Sequence, residues 1–231
     1  MRGKLYGIGV GPGDPELLTI KAANTIQKCG VIAAPKAANR AGTALAIIEA
    51  YLDGKELLEC RFSMDRDLEK RRADRQTAAD EIIRVLECGQ DVGFVTLGDP
   101  GTYSTYMYVH ELVVGRGFDA EIVPGITSYA AAAAALGIPL CVGEEVLTII
   151  PPGCGGDIDR LLAYPGNKVI MKSGEGLGRV LKTLKKCGYG EQTKIVCRVS
   201  MEDERLYESI AAYEKSPVPG YFTLAIVKGE K

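Results

Sequence analysis

Tryptophan is absent and histidine occurs once, as His110. One histidine cannot build a multi-histidine metal site, and no metal centre is expected. An excess of charge is missing as well. Lys and Arg number 28 against 30 Asp and Glu, a net charge of −2. A nucleic-acid binder carries a strong basic excess, so no nucleic-acid partner is expected. Seven cysteines occur, Cys29, Cys60, Cys88, Cys141, Cys154, Cys187 and Cys197, and none forms a C-x-x-C pair. The odd count and wide spacing exclude a zinc ribbon or a disulfide framework. Buried free thiols, packed as small hydrophobes in a reducing compartment, are the expectation. Long hydrophobic runs are also missing. The basic start is not followed by the apolar core of a signal peptide. The most apolar stretch, 126–142, is broken by Gly137 and Pro139 and falls short of the ~20 residues of a membrane span. A soluble cytoplasmic protein with no membrane partner is expected.

What is present is an ordinary globular balance, 46% hydrophobic and 25% charged, which excludes collagen-like, coiled-coil and disordered chains. A length of 231 residues fits one large domain or two small ones. Strand patterns fall at 4–10, 31–34, 55–60, 91–97 and 120–123, with helical patterns at 15–28, 42–52, 65–88, 103–114 and 130–135. Asp14 before Pro15 reads as a helix start, an N-cap carboxylate followed by proline at the first helical position. The charged middle of the 65–88 helix mixes both signs and reads as a solvated face. This alternation predicts a mostly parallel sheet covered on both faces. Further strands are expected at 146–150, 168–172, 194–199, 205–209 and 221–228, with helices at 157–163 and 177–187. The late strands without helices point to a mixed sheet. The fold class is α/β, as two α/β domains over 1–125 and 126–231.

Ligands of open α/β sheets bind beyond the carboxyl ends of the strands. Three strand-to-helix loops there, 9–14, 98–102 and 124–128, are rich in Gly, Pro, Asp and Thr. The first is not a dinucleotide fingerprint. G-x-G-x-x-G would need glycine at position 12 or 14, which are Pro12 and Asp14, and a carboxylate at a helix start repels a pyrophosphate. No G-x-x-x-x-G-K-[ST] phosphate loop occurs either.

Gly7-Ile8-Gly9-Val10-Gly11-Pro12-Gly13-Asp14-Pro15-Glu16-Leu17-Leu18-Thr19 resembles the opening signature of the tetrapyrrole-type methyltransferases that use S-adenosyl-L-methionine. Leu97-Gly98-Asp99-Pro100 and Ile122-Val123-Pro124-Gly125-Ile126-Thr127-Ser128 resemble its second and third motifs, in the expected order. The stretch from Gly98 to Tyr106 is similar to the G-D-P-x-x-Y-S-T form of the precorrin-2/cobalt-factor II C20-methyltransferase branch. Pro35-Lys36 and Phe62-Ser63-Met64-Asp65-Arg66-Asp67 resemble that branch's P-K-S and F-P-M-x-x-D segments, with departures at Ala37 and Ser63.

The resemblance implies two α/β domains with the cofactor in the cleft between them, a homodimer, and S-adenosyl-L-homocysteine as coproduct. It implies cofactor contacts at Pro12, at Leu97, Gly98, Asp99 and Thr102, and at Thr127 and Ser128. Met171 falls near adenine, and Val199, Ser200, Met201, Thr223 and Leu224 line the far side. Met171 also reads as core filling, and Thr127 and Ser128 as helix caps. The implied reaction moves a sulfonium methyl to an electron-rich meso carbon of a reduced tetrapyrrole. Alignment alone can supply roughly 7–11 kcal/mol in favourable cases, so a chain with no His or Cys constellation suffices. Asp99 is the candidate base for the meso proton, with Tyr103 or Tyr106 as alternatives that also read as helix packing. Lys36, Arg40, Arg61 and Arg66 are candidates for the substrate's carboxylates, or are plain surface charge. The alternatives are methylation at another corrin position, diphthine synthesis, and a sensor that binds the cofactor without turnover.

Overall fold

Short apolar runs make the strands, and the stretches between them make the helices that cover the strands. The computed structural model describes residues 1–36, 43–63, 67–151, 158–171, 176–218 and 220–229. Its contacts divide it into two units, Met1–Thr127 and Ser128–Lys231.

In the first unit, β1 (Leu5–Gly9), β2 (Val31–Pro35), β3 (Glu56–Cys60), β4 (Val92–Thr96) and β5 (Ala120–Val123) form one sheet. The order is β3-β2-β4-β1-β5 and every pairing is parallel. Parallel strands need crossovers, and α1 (Ile20–Lys28), α2 (Thr43–Ile47), α3 (Leu68–Glu87) and α4 (Tyr106–Val114) supply them. Alternation along β1 sends Leu5 into the core that holds Ala79, Ile82, Phe94 and Tyr106, and Tyr6 and Ile8 into the core that holds Ile26, Ile32 and Ile48. Both faces are therefore closed, as a parallel sheet requires.

Three helix boundaries differ from the sequence expectation. Segment 15–28 is not one helix. The Asp14 carboxylate accepts a hydrogen bond from the Glu16 N–H at 2.8 Å and opens a 3-10 turn, Pro15–Leu17. The chain is extended at Leu18 and Thr19, and the Thr19 hydroxyl accepts from the Ala22 N–H at 3.1 Å, capping α1. The 42–52 helix is α2 followed by a 3-10 turn, Glu49–Tyr51. The 103–114 helix starts only at Tyr106, because Tyr103 adopts a left-handed φ of 51°.

In the second unit, β6 (Leu147–Ile150), β7 (Asn167–Ile170), β8 (Thr193–Cys197), β9 (Arg205–Tyr207) and β10 (Thr223–Val227) are ordered β6-β7-β10-β8-β9. Only β6 and β7 pair in parallel, so the sheet is mixed. Helices α5 (Ser128–Ala135), α6 (Ile158–Ala163) and α7 (Leu177–Lys186) cover it. So does α8 (Ile210–Lys215), which replaces the helix-free run expected between the last strands. The Ser209 hydroxyl accepts from the Ala212 N–H at 3.2 Å and starts it.

Six cysteines in the described residues are free. Cys29, Cys60 and Cys197 are buried, as expected of small hydrophobes, but Cys88, Cys141 and Cys187 are exposed. Burial pushes the Cys29 and Cys60 thiols up to about 12, which keeps both protonated. Cys154 lies outside the described residues. Among the described residues, no helix is long and apolar enough to cross a membrane, and no cluster of metal-ligating side chains forms.

Candidate active site

The register of the first sheet sets its strand ends level. Gly9 lies opposite Thr96, and Ile8 opposite Val123. The loops after β1, β4 and β5 therefore leave the sheet side by side. The first two pair through their backbones: the Gly98 N–H donates to the Gly11 carbonyl at 2.7 Å, and the Gly11 N–H to the Gly98 carbonyl at 3.3 Å. Both glycines hold positive φ, 78° and 73°, a region where an L side chain is strained. The third loop closes on the same seam. A Cβ on Gly9 would fall 2.6 Å from both the Gly125 nitrogen and the Gly98 oxygen, and one on Gly125 would fall 2.7 Å from the Gly9 carbonyl carbon. Three loops meet backbone to backbone, and only glycine allows that approach.

Asp99 ties the seam together. Its Oδ1 accepts from the Gly101 N–H at 2.9 Å and from the Thr102 hydroxyl at 3.4 Å, and its Oδ2 accepts from the Gly125 N–H at 3.0 Å. Both oxygens are thus engaged, one within its own turn and one on the neighbouring loop. Next along the chain, the Ser104 hydroxyl lies 2.9 Å from that of Thr96 and accepts from the Tyr106 N–H at 3.2 Å. The end of β4 and the start of α4 are pinned by that one side chain.

Tyr106 requires a correction. It is fully buried, 0% exposed, with its ring 5.5 Å from that of Phe94. A Cβ on Gly7 would overlap its Cε1 and Cζ atoms, so the ring occupies the space that a side chain on β1 would take. Its hydroxyl faces His110 Nδ1 at 2.9 Å, and burial raises its pKa, which keeps the phenol protonated. A buried, protonated phenol cannot take a proton from a substrate. His110 is the partner of this tyrosine within α4. Tyr103, by contrast, is 46% exposed on the loop itself.

Of the other residues singled out, Pro12 and Gly98 are buried at the seam, while Leu97, Thr102, Thr127 and Ser128 are half-buried. Ser128 is the first residue of α5 and Thr127 directly precedes it. Lys36 is exposed and paired with Glu59 at 2.7 Å, and Arg61 is exposed. Arg40 and Arg66, together with Ala37, Met64 and Asp65, lie outside the described residues.

In the second unit, register gathers the remaining candidates at one end of its sheet. Thr223 lies opposite Cys197, and Ala225 opposite Ile170. The end of β7 with Met171, the start of β10 with Thr223 and Leu224, and the segment after β8 with Val199, Ser200 and Met201 therefore share that end. Met171, Val199, Thr223 and Leu224 are buried, and Ser200 and Met201 are half-buried. Ser200 holds a left-handed φ of 59°, and its N–H donates to Glu204 Oε2 at 2.7 Å.

Three seam members were not singled out from sequence, Gly9, Gly11 and Gly125. Their signal was available, since each is a glycine at, or within two residues of, the end of a strand. Ser104 was quoted only as part of a motif.

The chain matches the family of Tetrapyrrole (Corrin/Porphyrin) Methylases over residues 4–212. It is 36% identical to the probable cobalt-precorrin-2 C(20)-methyltransferase of Methanocaldococcus jannaschii, covering 97% of this chain and 96% of that protein. It is 31% identical to the precorrin-2 C(20)-methyltransferase of Sinorhizobium sp, covering 99% and 96%. Its fold is similar to that of the uroporphyrin-III C-methyl transferase of Thermus thermophilus, complexed with S-adenyl homocysteine. That likeness has a TM-score of 0.72 at 21% identity and covers 98% of this chain and 92% of that one.

Proposed function

The chain belongs to the tetrapyrrole methylase family, and on that premise we propose that it methylates C20 of precorrin-2 or its cobalt-containing form, using S-adenosyl-L-methionine, in cobalamin biosynthesis. The observation that carries the reading is the glycine seam at the ends of β1, β4 and β5. The position of methylation comes from likeness along nearly the whole chain to two C(20) enzymes.

The residues at the seam fit a cofactor that must approach backbone. A Cβ at Gly98 would meet only the Ile126 carbonyl, 3.9 Å away, so space opens beside a glycine whose φ of 73° excludes other residues. When bound, S-adenosyl-L-methionine would supply an electrophilic methyl group: the bond from the meso carbon to the methyl forms as the methyl–sulfur bond breaks, S-adenosyl-L-homocysteine leaves, and the meso proton is then lost, with Tyr103 the remaining candidate to take it. The chain's own task is alignment and exclusion of water. Asp99 acts in this reading as a clamp that fixes the β4 loop against Gly125, not as the base, because both of its oxygens already accept backbone N–H groups. Tyr103, exposed and held in a strained φ, is the residue of this loop presented to the acceptor. Pro12, Leu97, Thr102, Thr127 and Ser128 are proposed as cofactor contacts, and so are Met171, Val199, Ser200, Met201, Thr223 and Leu224. A cytoplasmic homodimer belongs to the same reading.

The test is transfer of labelled methyl from S-adenosyl-L-methionine under anaerobic conditions, with precorrin-2 and its cobalt form as parallel acceptors. Label in either supports the assignment, and the faster acceptor tells whether cobalt enters before or after this step. Cofactor binding without transfer to either would overturn the C20 assignment and leave methylation of another acceptor, or a sensor, as the reading. In the active enzyme, Asp99→Asn is expected to raise the KM for the cofactor about tenfold, the loss of one charge-assisted hydrogen bond. A fall of kcat by about 10²–10⁴ instead would make Asp99 the base.

A further inference from the structure

The charged middle of α3 is not uniformly a solvated face. Glu69, Lys70 and Arg72 are exposed, but Arg71 and Arg75 are half-buried. These two stand one turn apart and share a helix face. The same face continues as Ala78, Ala79, Ile82 and Leu86, all buried in the core. The apolar stripe of α3 thus ends, towards its N-terminus, in two arginines.

Topology places that end. α3 leads from β3 to β4, which run the same way on either side of β2. It therefore runs back along the sheet, and its first turns lie at the carboxyl end of the strands. The loop carrying Asp99, Tyr103 and Ser104 leaves the sheet at that end. Tyr108, in the first turn of α4 just after that loop, receives Arg75: the guanidinium carbon sits 3.4 Å from the ring centroid. Stacking uses the face of the guanidinium and leaves its in-plane N–H edge for a ligand. Arg71 carries a second unspent donor, since its Nε is buried and has no hydrogen-bond partner. Neighbouring cations are matched, Arg72 by Glu69 and Arg116 by Asp80. Among the described residues, no carboxylate pairs with Arg71 or Arg75.

A buried donor without an acceptor is costly to keep. The buried Nε is closed to a ligand, so it is the remaining guanidinium N–H groups of half-buried Arg71 that a planar carboxylate would grip. We propose that Arg71 and Arg75, the latter held in place by Tyr108, form a carboxylate-binding pair that anchors acidic side chains of the methyl acceptor. This rests on the tetrapyrrole reading above. It makes α3 a determinant of acceptor recognition, distinct from the glycine seam.

Arg71→Gln and Arg75→Gln are each expected to raise the KM for the tetrapyrrole about tenfold, and the double variant about a hundredfold. The kcat and the KM for S-adenosyl-L-methionine stay as in the wild type. Arg72→Gln, on the same helix, serves as the control and leaves all three unchanged. Unchanged acceptor KM in the double variant, or a loss confined to kcat, would overturn the proposal. A second arm needs no turnover: binding of uroporphyrin III, a stable porphyrin polycarboxylate, followed by its own fluorescence anisotropy. The double variant is expected to bind it at least tenfold more weakly, roughly the loss of one charged contact. Equal binding by wild type and double variant would again overturn the proposal. Weakened binding in a protein whose wild type methylates no precorrin would keep this site and overturn only the C20 assignment.

Discussion

The first unit closes its loop end with backbone. Gly9, Gly11, Gly98 and Gly125 lie against one another with no side chain between them. The second unit shapes the corresponding segment after β8 with side chains. There the chain turns through Arg198 and Ser200, both at left-handed φ, and is held by Arg198 on Asp203 and by Glu204 on the Ser200 N–H. One device leaves no room for substitution and contains few charges. The other leaves room, but its acids and bases make it responsive to solvent. The steeper constraint belongs to the unit carrying the three motifs, as expected where a ligand must approach peptide groups closely.

Substitution at the seam breaks this contrast most sharply. Gly125→Ala drives a methyl group onto the Gly98 carbonyl and the Gly9 backbone, neither of which can rotate away. It is expected to cost about 3 kcal/mol or more in denaturant unfolding and to abolish cofactor binding. The pairing of Gly7 with Tyr106 gives the next largest effect. Gly7→Ala, which forces the ring aside, is expected to cost about 2–3 kcal/mol. In the double variant with Tyr106→Leu the penalties should fall short of their sum by about 1 kcal/mol or more, as a double-mutant cycle measures. Additive penalties would mean that the ring does not sit where β1 lacks a side chain.

On the second unit's side of the comparison, Ser200→Gly relieves a left-handed residue. It is expected to leave stability unchanged or raise it by about 0.5–1 kcal/mol in thermal unfolding, the opposite of any seam substitution. The smallest effect is electrostatic. The Asn167 side-chain amide, then Lys228 and the Val142 N–H, hold the Glu145 carboxyl at about 2, against an ordinary 4.5. A depressed acid stabilises the fold above its unfolded pKa and loses that contribution as pH falls through the folded value. Stability should therefore decline between pH 4.5 and about 2, and Glu145→Gln should flatten the decline in an acid titration followed by circular dichroism.

The same contrast governs what could be read from sequence. The parallel sheet was legible because buried strands are continuous apolar runs, and the loop ends because Gly7 to Asp14, Gly98 and Gly125 punctuate them. Left-handed Arg198 and Ser200 carry no such mark, so the side-chain turn after β8 had no signal. The break between the 3-10 turn and α1 was missed because Asp14-Pro15 is a strong start signal, while the second start, at Thr19, rests on one hydroxyl. Helix α8 was missed because six residues give too little periodicity to count. The burial of Tyr106 was out of reach: it depends on the missing side chain at Gly7, far away in the chain, and no local pattern couples the two. Nor could the mixed charges of α3 reveal that Arg71 and Arg75 continue its apolar stripe.

The central claim is regiochemical and is tested most directly by locating the new methyl carbon. Precorrin-2 turned over anaerobically with carbon-13 methyl-labelled S-adenosyl-L-methionine, its product examined by carbon-13 NMR, should carry one enriched methyl attached to C20. An enriched methyl on any other ring carbon would contradict the account, even at full yield.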